Sequence, residues 1–334
     1  MANIPLRAAL LGAGMISLYH LRAWQAAGVP VVAVCDSDRG RAEERAREFG
    51  IERIYSDAAA LFADGGFELA DIAASVEAHD PLTRMAADNG IHVMLQKPMT
   101  RTVAEAESLV DYVGTRVRFM VHENYRFRPH YMAVRRWIGE GRIGRPRHAA
   151  IAVRGSGLCP RPEGEPFLLE RQPYLRQFDR NLVFETMIHH LDVLRLLVGP
   201  LQVVAARLNH LAEGLPGEDT AAILLRGPDG LIATADGCIC APGYPALHGD
   251  RLEIVGTRGT VVMDYNRVFL VGEEDDAVEV DLLGRYQECF DHAVGDFVAG
   301  VRDGRPFETD RLDNLETLRL MESVYDAAGV EVSP

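Results

Sequence analysis

The sequence predicts an α/β domain with a doubly wound parallel sheet, followed by an α+β domain with an open, mostly antiparallel sheet. Two observations support this prediction. In the first third of the 334 residues, short apolar runs alternate with helical segments, which is typical of a parallel sheet covered on both faces. After about residue 123, strand-like runs follow one another across short turns, as antiparallel hairpins do.

The first domain, residues 1–122, contains five predicted strands with helical segments between them. The strands are RAALLG, VPVVAVCD, LADIAAS, IHVML and RVRFMVH, at residues 7–12, 29–36, 69–75, 91–95 and 116–122. Thr102 and Glu105 form a capping-box sequence that begins the helix after the fourth strand. Gly50, Gly90 and Gly114 stand where helices should end.

The second domain, residues 123–334, is predicted to begin with a loop and a helix in NYRFRPHYMAVRRWIGEGRIG, followed by a strand in RHAAIAVRG. Another helix is predicted in NLVFETMIHHLDVLRLLVG, and seven strand-like runs follow it. The turn sequences GPDG and GTRG separate consecutive strands. Two helices, near 286–300 and 311–328, close the chain, and they are free to pack back on the first domain.

Charge and composition exclude several classes of partner. The chain has 35 Lys plus Arg and 49 Asp plus Glu, and its net charge of −14 disfavours binding to nucleic acid or an anionic membrane. The sequence has neither a membrane-length apolar run nor the start of a signal peptide, so we expect a cytoplasmic protein. The five cysteines include no CxxC pair, which favours free thiols over a disulfide or a metal site.

A glycine motif follows the first strand and opens the first helix. In LLGAGMIS, Gly12 and Gly14 fill the first two positions of GxGxxG, where the backbone can approach a pyrophosphate, and Ser17 fills the third. Asp36 ends the second strand, 22 residues after Gly14, where an acidic residue binds the ribose hydroxyls of NAD. The motif in this context predicts a Rossmann domain with NAD as its cofactor. Arg39 leaves NADP open.

Lys97 is the only lysine among the 35 Lys and Arg residues. It lies on a strand-to-helix connection at the carboxyl edge of the predicted sheet, where ligands bind in open α/β folds. Burial or a nearby positive charge lowers the pKa of an ammonium enough for it to lose its proton, whereas a guanidinium stays charged. A catalytic lysine is therefore one interpretation, and a chance survivor of a bias against lysine codons is the other.

A carboxylate and a histidine stand four residues apart in the second-domain helix FETMIHHLDVLRLLV. Glu185 and His189 share a stripe beside the apolar face and can therefore touch. A carboxylate orients an imidazole and raises its basicity, as a proton-transfer histidine requires. A simple surface pair is the alternative. His190 points about 100° away from His189, so we expect no metal site there.

Taken together, these segments resemble the Gfo/Idh/MocA family of nicotinamide-dependent oxidoreductases, which includes inositol dehydrogenases and glucose–fructose oxidoreductase. The resemblance spans nearly the whole chain. Its most specific element is the family's EKP signature, matched here by Gln96-Lys97-Pro98. A second element is the GIHxxD segment preceded by Asp, matched by the residues from Glu185 to Asp192. Gln96 in place of Glu, and Glu185 in place of Asp, are departures from the family pattern.

The resemblance implies hydride transfer between nicotinamide C4 and a carbinol or ketone carbon of a sugar, cyclitol or related polyol. His189 would take or return the proton, Glu185 would orient His189, and Lys97 would hydrogen-bond the same oxygen. Whether His189 or Lys97 is the principal base stays open, as does the direction of the reaction. The implied cofactor-binding residues are Gly12, Gly14, Met15, Ile16, Asp36, Ser75, His79, Gln96 and Lys97.

Two loops are expected to shape the substrate pocket. Arg126 in RFRP and Tyr174 in the run 157–179 are the expected polar contacts, although Arg126 could equally pack between domains. The resemblance also implies that the second domain binds the substrate and forms a homo-oligomer, a dimer or a tetramer. Two other functions stay open: a regulatory protein that binds NAD(P) and a sugar without turnover, and a reductase of a non-sugar carbonyl.

Overall fold

The computed structural model describes residues 6–247 and 249–330. These residues form two compact units. The first comprises the described residues up to Phe127 together with Tyr286–Leu318, and the second comprises Arg128–Arg285 together with the described residues from Arg319 onward. The outer ends of the predicted domains, residues 1–5 and 331–334, lie outside the described residues. The predicted functional boundary at residue 122 stays a prediction.

The first unit contains a six-stranded parallel sheet. Its strands are β1 Ala8–Leu11, β2 Val31–Cys35, β3 Arg53–Tyr55, β4 Leu69–Ile72, β5 His92–Gln96 and β6 Phe119–His122. They lie in the order β3-β2-β1-β4-β5-β6, and every pairing is parallel. The predicted doubly wound α/β fold is confirmed. The strand order reverses between β1 and β4, which opens a crevice at the carboxyl edge of the sheet.

Five helices connect these strands: α1 Ser17–Ala26, α2 Arg39–Phe49, α3 Ala58–Asp64, α4 Val76–Asp88 and α5 Val103–Val113. The predicted capping box begins α5, where the Thr102 hydroxyl accepts from the Glu105 N–H and the Glu105 carboxylate accepts from the Thr102 N–H. Gly50 ends α2 in the left-handed conformation, as predicted. The prediction missed β3 and α3, because β3 is only three residues long and half-buried.

The second unit is built on an eight-stranded sheet. Its strands are β7 Pro146–Arg154, β8 Gln202–Asn209, β9 Thr220–Arg226, β10 Ile232–Cys238, β11 Gly249–Gly256, β12 Thr260–Asp264, β13 Arg267–Leu270 and β14 Val278–Glu279. They lie in the order β14-β13-β12-β11-β7-β10-β9-β8. Among the described strands of this sheet, β7 and β10 pair in parallel and the other pairs are antiparallel. The predicted mostly antiparallel sheet is confirmed.

The helices of the second unit include α6 Pro129–Gly139, α7 Phe167–Arg171 and α8 Ile188–Val198. The sequence predicted one helix through the region of α8. The structure instead has a π-helical turn, Leu182–Met187, that leads directly into α8. The π turn places an extra residue in each hydrogen-bonded ring, so side chains on either side of the junction do not follow α-helical spacing.

Two long helices follow the second sheet in the chain, α9 Tyr286–Asp303 and α10 Arg311–Ala328. In the first unit, α9 packs against α1 and the start of the sheet, and its Phe290 and Phe297 share an apolar cluster with Trp24. The division between the two units falls within α10. Within residues 6–247 and 249–330, none of the helices combines the length and apolar character that a membrane span requires.

Gly12 occupies a position in the β1–α1 loop that no other residue can fill without strain. Its φ is +101°, and a Cβ built there would lie 2.5 Å from the carbonyl carbon and oxygen of Ala73 and from the nitrogen of Ala74. Those atoms belong to the backbone after β4, so they cannot rotate away. At Gly14, two residues later, an added Cβ would meet nothing within 4 Å.

We therefore predict that Gly12→Ala lowers the free energy of unfolding by about 2 kcal/mol or more, because the methyl group overlaps backbone and the φ is unfavourable. Gly14→Ala is the matched control and should change it by less than about 1 kcal/mol. Urea unfolding of both variants without added cofactor measures the difference. Equal stability of the two variants would contradict this account of the loop.

Candidate functional site

The glycine loop and Asp36 come together at the carboxyl ends of β1 and β2. One Asp36 carboxylate oxygen accepts from the Ala13 N–H at 2.6 Å, and the other accepts from the Asp38 N–H at 2.8 Å. The carboxylate is therefore fixed beside the loop, at the position predicted for a ribose contact. Gly14 has open space around it, and Met15, which follows it, is exposed.

Ser17 replaces the third glycine of the motif and is fully buried at the start of α1. Its hydroxyl donates to the Gly14 carbonyl at 2.6 Å and accepts from the Arg45 guanidinium at 3.1 Å. The hydroxyl thus closes the loop internally. Ile16 caps α1 without a side-chain hydrogen bond, and the first turn contains no acidic residue. The first amide groups of this helix therefore face no competing carboxylate of their own turn.

Arg39 is the residue that kept NADP as an alternative cofactor in the sequence analysis, and it lies on the first turn of α2. Its Nε donates to the Glu43 carboxylate at 2.8 Å, a pair four residues apart on the exposed face of the helix. The arrangement gives Arg39 an acidic partner within its own helix.

His79 links the two loops that follow β4 and β5. It is buried in α4, with Nδ1 lying 2.8 Å from the Pro98 carbonyl and Nε2 lying 3.2 Å from the Ala74 carbonyl. Burial lowers the pKa of His79, which favours a neutral ring with one N–H. The shorter contact identifies Nδ1 as the donor. Ser75 occupies the N-cap position of α4 between these loops, without a side-chain capping bond.

Lys97 follows β5 at the carboxyl edge of the sheet and is half-buried. The peptide bond between Lys97 and Pro98 is cis. The Lys97 main-chain N–H donates to the Gln96 side-chain oxygen at 2.7 Å. The other end of the Gln96 amide lies 3.1 Å from Nε2 of His20 in α1. Gln96 therefore points into the domain and not toward the crevice.

A buried polar cluster behind Gln96 was missed by the sequence analysis. Asp71 in β4 is fully buried and accepts from Trp24 Nε1 at 2.6 Å. Nδ1 of His20 lies 3.0 Å from each Asp71 carboxylate oxygen. An aspartate inside the otherwise apolar strand LADI was the available signal, because a buried carboxylate requires partners.

Arg126 lies in a short 3₁₀ turn of the first unit and is 5% exposed. Its guanidinium donates to the Glu308 carbonyl at 2.8 Å and to the Asp313 carboxylate. These partners give it a structural role in joining the start of α10 to the region after β6. The predicted contact between Arg126 and the substrate stays a prediction.

Tyr174 and Glu185 meet in the second unit. The Tyr174 hydroxyl donates to the Glu185 carboxylate at 3.4 Å. Although 43% of Tyr174 is exposed, withdrawal of its hydroxyl from water and the nearby Glu185 carboxylate raise the pKa of Tyr174, so the phenol stays protonated at neutral pH. Glu185 lies in the π turn and His189 near the start of α8, where it is 7% exposed. Their four-residue spacing therefore crosses the π–α junction.

His190 anchors α8 inside the second unit. Its Nδ1 lies 3.0 Å from the Thr186 carbonyl and its Nε2 lies 2.9 Å from an Asp250 carboxylate oxygen. The second Asp250 oxygen accepts from the Tyr131 hydroxyl at 2.9 Å. The helix is thus tied to both β11 and α6. Among the described residues, no group of three His, Cys, Asp or Glu side chains could hold a metal ion.

Comparison with known proteins agrees with these features. Residues 6–123 match the GFO_IDH_MocA model, an oxidoreductase family with an NAD-binding Rossmann fold, and residues 131–262 match the GFO/IDH/MocA C-terminal domain. D-apiose dehydrogenase of Rhizobium rhizogenes is 30% identical over 338 residues, covering 97% of this chain and 95% of that protein. The NAD(+)-dependent scyllo-inositol 2-dehydrogenase of Bacillus subtilis is 26% identical, covering 91% of this chain and 89% of that protein.

A solved structure is also similar over nearly the full length. It is a crystal structure of an oxidoreductase from Agrobacterium radiobacter in complex with NAD+, L-tartaric acid and magnesium. The TM-score is 0.89 and the identity 29%, with 97% of this chain and 96% of that chain covered. The matched residues include both units, so the fold of this chain is similar to that of a known NAD-bound oxidoreductase.

His130 is a buried histidine on α6, next to Tyr131. Among the described residues, its ring nitrogens have no hydrogen-bond partner. Burial, followed by the positive charge of Arg128, lowers the pKa of His130 to about 3, while Asp250 acts in the opposite direction and His190 adds to the lowering. The folded protein therefore keeps this ring neutral at pH values where the unfolded chain would protonate it.

This lowered pKa predicts acid sensitivity. When the pH is lowered from 7 to 5, the unfolded chain gains a proton at His130 and the folded protein does not. The free energy of unfolding therefore decreases as the pH is lowered. With a pKa of 6.5 for His130 in the unfolded chain and a pKa of about 3 in the folded protein, the free energy of unfolding decreases by about 2 kcal/mol over this range. His130→Phe should remove that part of the loss, whereas His210→Phe, at an exposed position, should not. Urea unfolding at both pH values tests this, and identical pH dependence of His130→Phe and the wild type would disprove it.

Proposed function

Because the chain belongs to the Gfo/Idh/MocA family of NAD-binding oxidoreductases, we propose that it transfers a hydride between nicotinamide C4 and a carbinol or ketone carbon of a sugar, cyclitol or related polyol. One observation carries most of the proposal: the glycine loop, Asp36 and Lys97 lie at the carboxyl edge of one parallel sheet. Relatives that act on D-apiose and scyllo-inositol support the substrate class.

The residues of the loop fit a dinucleotide. Gly14 leaves open space where a phosphate could approach, and the backbone amides of Met15 and Ile16, just before α1, would bind it. Asp36 would bind the ribose hydroxyls, and its negative charge disfavours the 2′-phosphate of NADP. We propose that Ser75 and Lys97 line the nicotinamide end of the site. His79 and Gln96 would act there by holding the two loops, since their polar atoms already bind protein groups.

When bound, NAD supplies the hydride acceptor, and the protein must manage the proton that remains on the substrate oxygen. We assign Lys97, His189 and Glu185 to this task, with Tyr174 in support. Lys97 hydrogen-bonds the oxygen and stabilises alkoxide charge as it develops, and His189 accepts the proton. Glu185 orients His189, and Tyr174 holds Glu185 through its hydroxyl while contacting substrate. In the reductive direction the same groups return the proton.

The second sheet supplies a surface for self-association. Val204 in β8, Leu224 in β9 and Ile232 in β10 are exposed by 53%, 39% and 53%. They lie on adjacent strands, and Leu224 pairs with Ala205 on one side and Thr234 on the other. An exposed apolar face of this kind marks an interaction site. We propose that a second copy of the chain covers it in a dimer or a tetramer.

The cysteines support a location for the protein. All five, Cys35, Cys159, Cys238, Cys240 and Cys289, are free thiols in the structure. Free thiols persist in reducing compartments, whereas oxidising compartments convert neighbouring thiols to disulfides. We therefore propose the cytoplasm.

The catalytic assignment predicts that Lys97→Arg lowers turnover by about 10²-fold or more, because arginine keeps the charge but loses the compact, titratable donor. The substrate is first chosen by following NADH formation with D-apiose, inositols and levoglucosan. NADH binding, followed by fluorescence, should be nearly unchanged in the variant. Near-normal turnover would refute the role of Lys97. Binding of NADH without turnover of any polyol by the wild type would favour the regulatory alternative.

The self-association proposal predicts that Leu224→Glu shifts the protein to a smaller species in sedimentation velocity, because a buried carboxylate would lie in the interface. Val271→Glu is the matched control, since Val271 is also an exposed apolar residue, 58% exposed, but lies beyond β13. It should leave the oligomer intact. A monomeric wild type, or a Leu224→Glu protein of unchanged size, would rule out this surface.

A further inference from the structure

We propose that His20 and Asp71 are positioning residues for Lys97, acting through Gln96, and that Gln96 holds His20 in a single neutral tautomer. The proposal rests on the catalytic role proposed for Lys97. All of these residues belong to the first unit.

At the Asp71 end of the cluster, the direction of one hydrogen bond is known because its donor has no lone pair. Trp24 Nε1 carries a hydrogen and has no lone pair, so Asp71 accepts from it at 2.6 Å. Asp71 is fully buried, and a buried carboxylate is costly unless other donors share its charge. Nδ1 of His20, at 3.0 Å from both carboxylate oxygens, is the second donor.

At the Lys97 end of the cluster, the direction of the hydrogen bond is known for the same reason. The Lys97 main-chain N–H can only donate, so the Gln96 atom 2.7 Å away must be the amide oxygen. The amide nitrogen of Gln96 therefore faces Nε2 of His20, at 3.1 Å. Because an amide nitrogen also only donates, Nε2 of His20 must accept. The ring is neutral, with its one proton on Nδ1 toward Asp71.

Two aromatic rings contact the ring of His20. His122 in β6 stacks on it with ring centroids 4.3 Å apart, and Phe290 of α9 meets it edge-on at 5.6 Å. His122 is fully buried, and burial lowers the pKa of His122 well below its usual value, so this ring is uncharged. Among these contacts, Asp71 is therefore the one charged group that faces His20. Trp24 and His20 both donate hydrogen bonds to its carboxylate.

These contacts form one chain of hydrogen bonds from β4, through α1 and the end of β5, to the amide of the catalytic lysine. Each link has one donor and one acceptor, so the chain holds the Lys97 backbone in one place without an added charge. Loss of a link lets the backbone shift, and a shift of about 1 Å at a catalytic group costs up to about 10²-fold in rate.

The family signature places a glutamate at the position of Gln96, and the cluster predicts what that exchange would do here. A carboxylate at 96 would accept from the Lys97 N–H with one oxygen and present the other to His20 Nε2. His20 would then need a proton on both nitrogens. The cluster would gain one negative and one positive charge, so its net charge of −1 would stay the same while its proton count rose by one.

Three variants test the proposal. Gln96→Met removes the hydrogen bonds from the Gln96 side chain to His20 and to the Lys97 N–H. It should lower kcat by about 10-fold or more, with a smaller change in KM for NAD+. Gln96→Glu rebuilds the chain with an extra proton and should turn over about 10-fold faster than Gln96→Met. Gln25→Met, at an exposed position on α1, is the matched control and should match the wild type. Melting curves confirm that each protein is folded at the assay temperature.

Nitrogen-15 NMR of histidine-labelled protein, with His20 assigned from a His20→Gln variant, supplies a readout independent of activity. The wild type should show His20 protonated at Nδ1 only, and Gln96→Glu should show both nitrogens protonated. A doubly protonated or Nε2-protonated His20 in the wild type would overturn the tautomer assignment. A wild-type kcat in Gln96→Met would overturn the positioning role. A wild type inactive on every polyol, with the expected NMR signals, would instead count against the proposed function.

Discussion

The hydrogen bond between the Lys97 amide and the Gln96 side chain is the constraint on which the proposed site depends. The strand β5 ends at Gln96, and the chain must turn there so that Lys97 lies at the edge of the sheet. A glutamine facing solvent could not hold that turn. Gln96 is instead drawn inward by His20, and His20 is held by Asp71, whose strand lies beside β5 in the sheet. The position of the only lysine in the chain is thus set by a carboxylate one strand away.

Each unit contains a buried histidine–aspartate pair, and the two pairs differ in the group that faces the other ring nitrogen. His20 faces a carboxylate on one side and an amide donor on the other, so one proton satisfies it. His190 has an Asp250 carboxylate oxygen beside Nε2 and the Thr186 carbonyl beside Nδ1, so two acceptors face its ring. Asp250 also contacts the Tyr131 hydroxyl at 2.9 Å and the Arg128 guanidinium at 3.6 Å. Each pair fixes the element that presents a proposed catalytic group, Lys97 in one unit and His189 in the other.

Local patterns explain which parts of the fold the sequence could predict. The apolar runs predicted five of the six parallel strands, and the glycine loop and the capping box of Thr102 were placed correctly, because each depends on neighbours within a few residues. The strand β3 was missed because three half-buried residues carry no clear period. The π turn at Glu185 was predicted as α-helix, since its composition does not distinguish the two.

The buried cluster illustrates a different limit. Asp71 lies 51 residues from His20, and His20 lies 76 residues from Gln96, so no local pattern connects them. The family pattern drew attention to the missing charge at Gln96 but not to the partners that accommodate its amide. Arg126 was likewise assigned from its loop alone, and its partners at Glu308 and Asp313 lie more than 180 residues away.

We propose that Lys97 and His189 serve the same proton transfer, and a double-mutant cycle in single-turnover hydride transfer tests this most directly. Groups that act as a unit are strongly non-additive when removed. Lys97→Gln and His189→Gln should each slow the step, and the double variant should be little slower than the worse single variant. If the two losses multiply in full, the residues act independently, and the account of one shared catalytic group is contradicted.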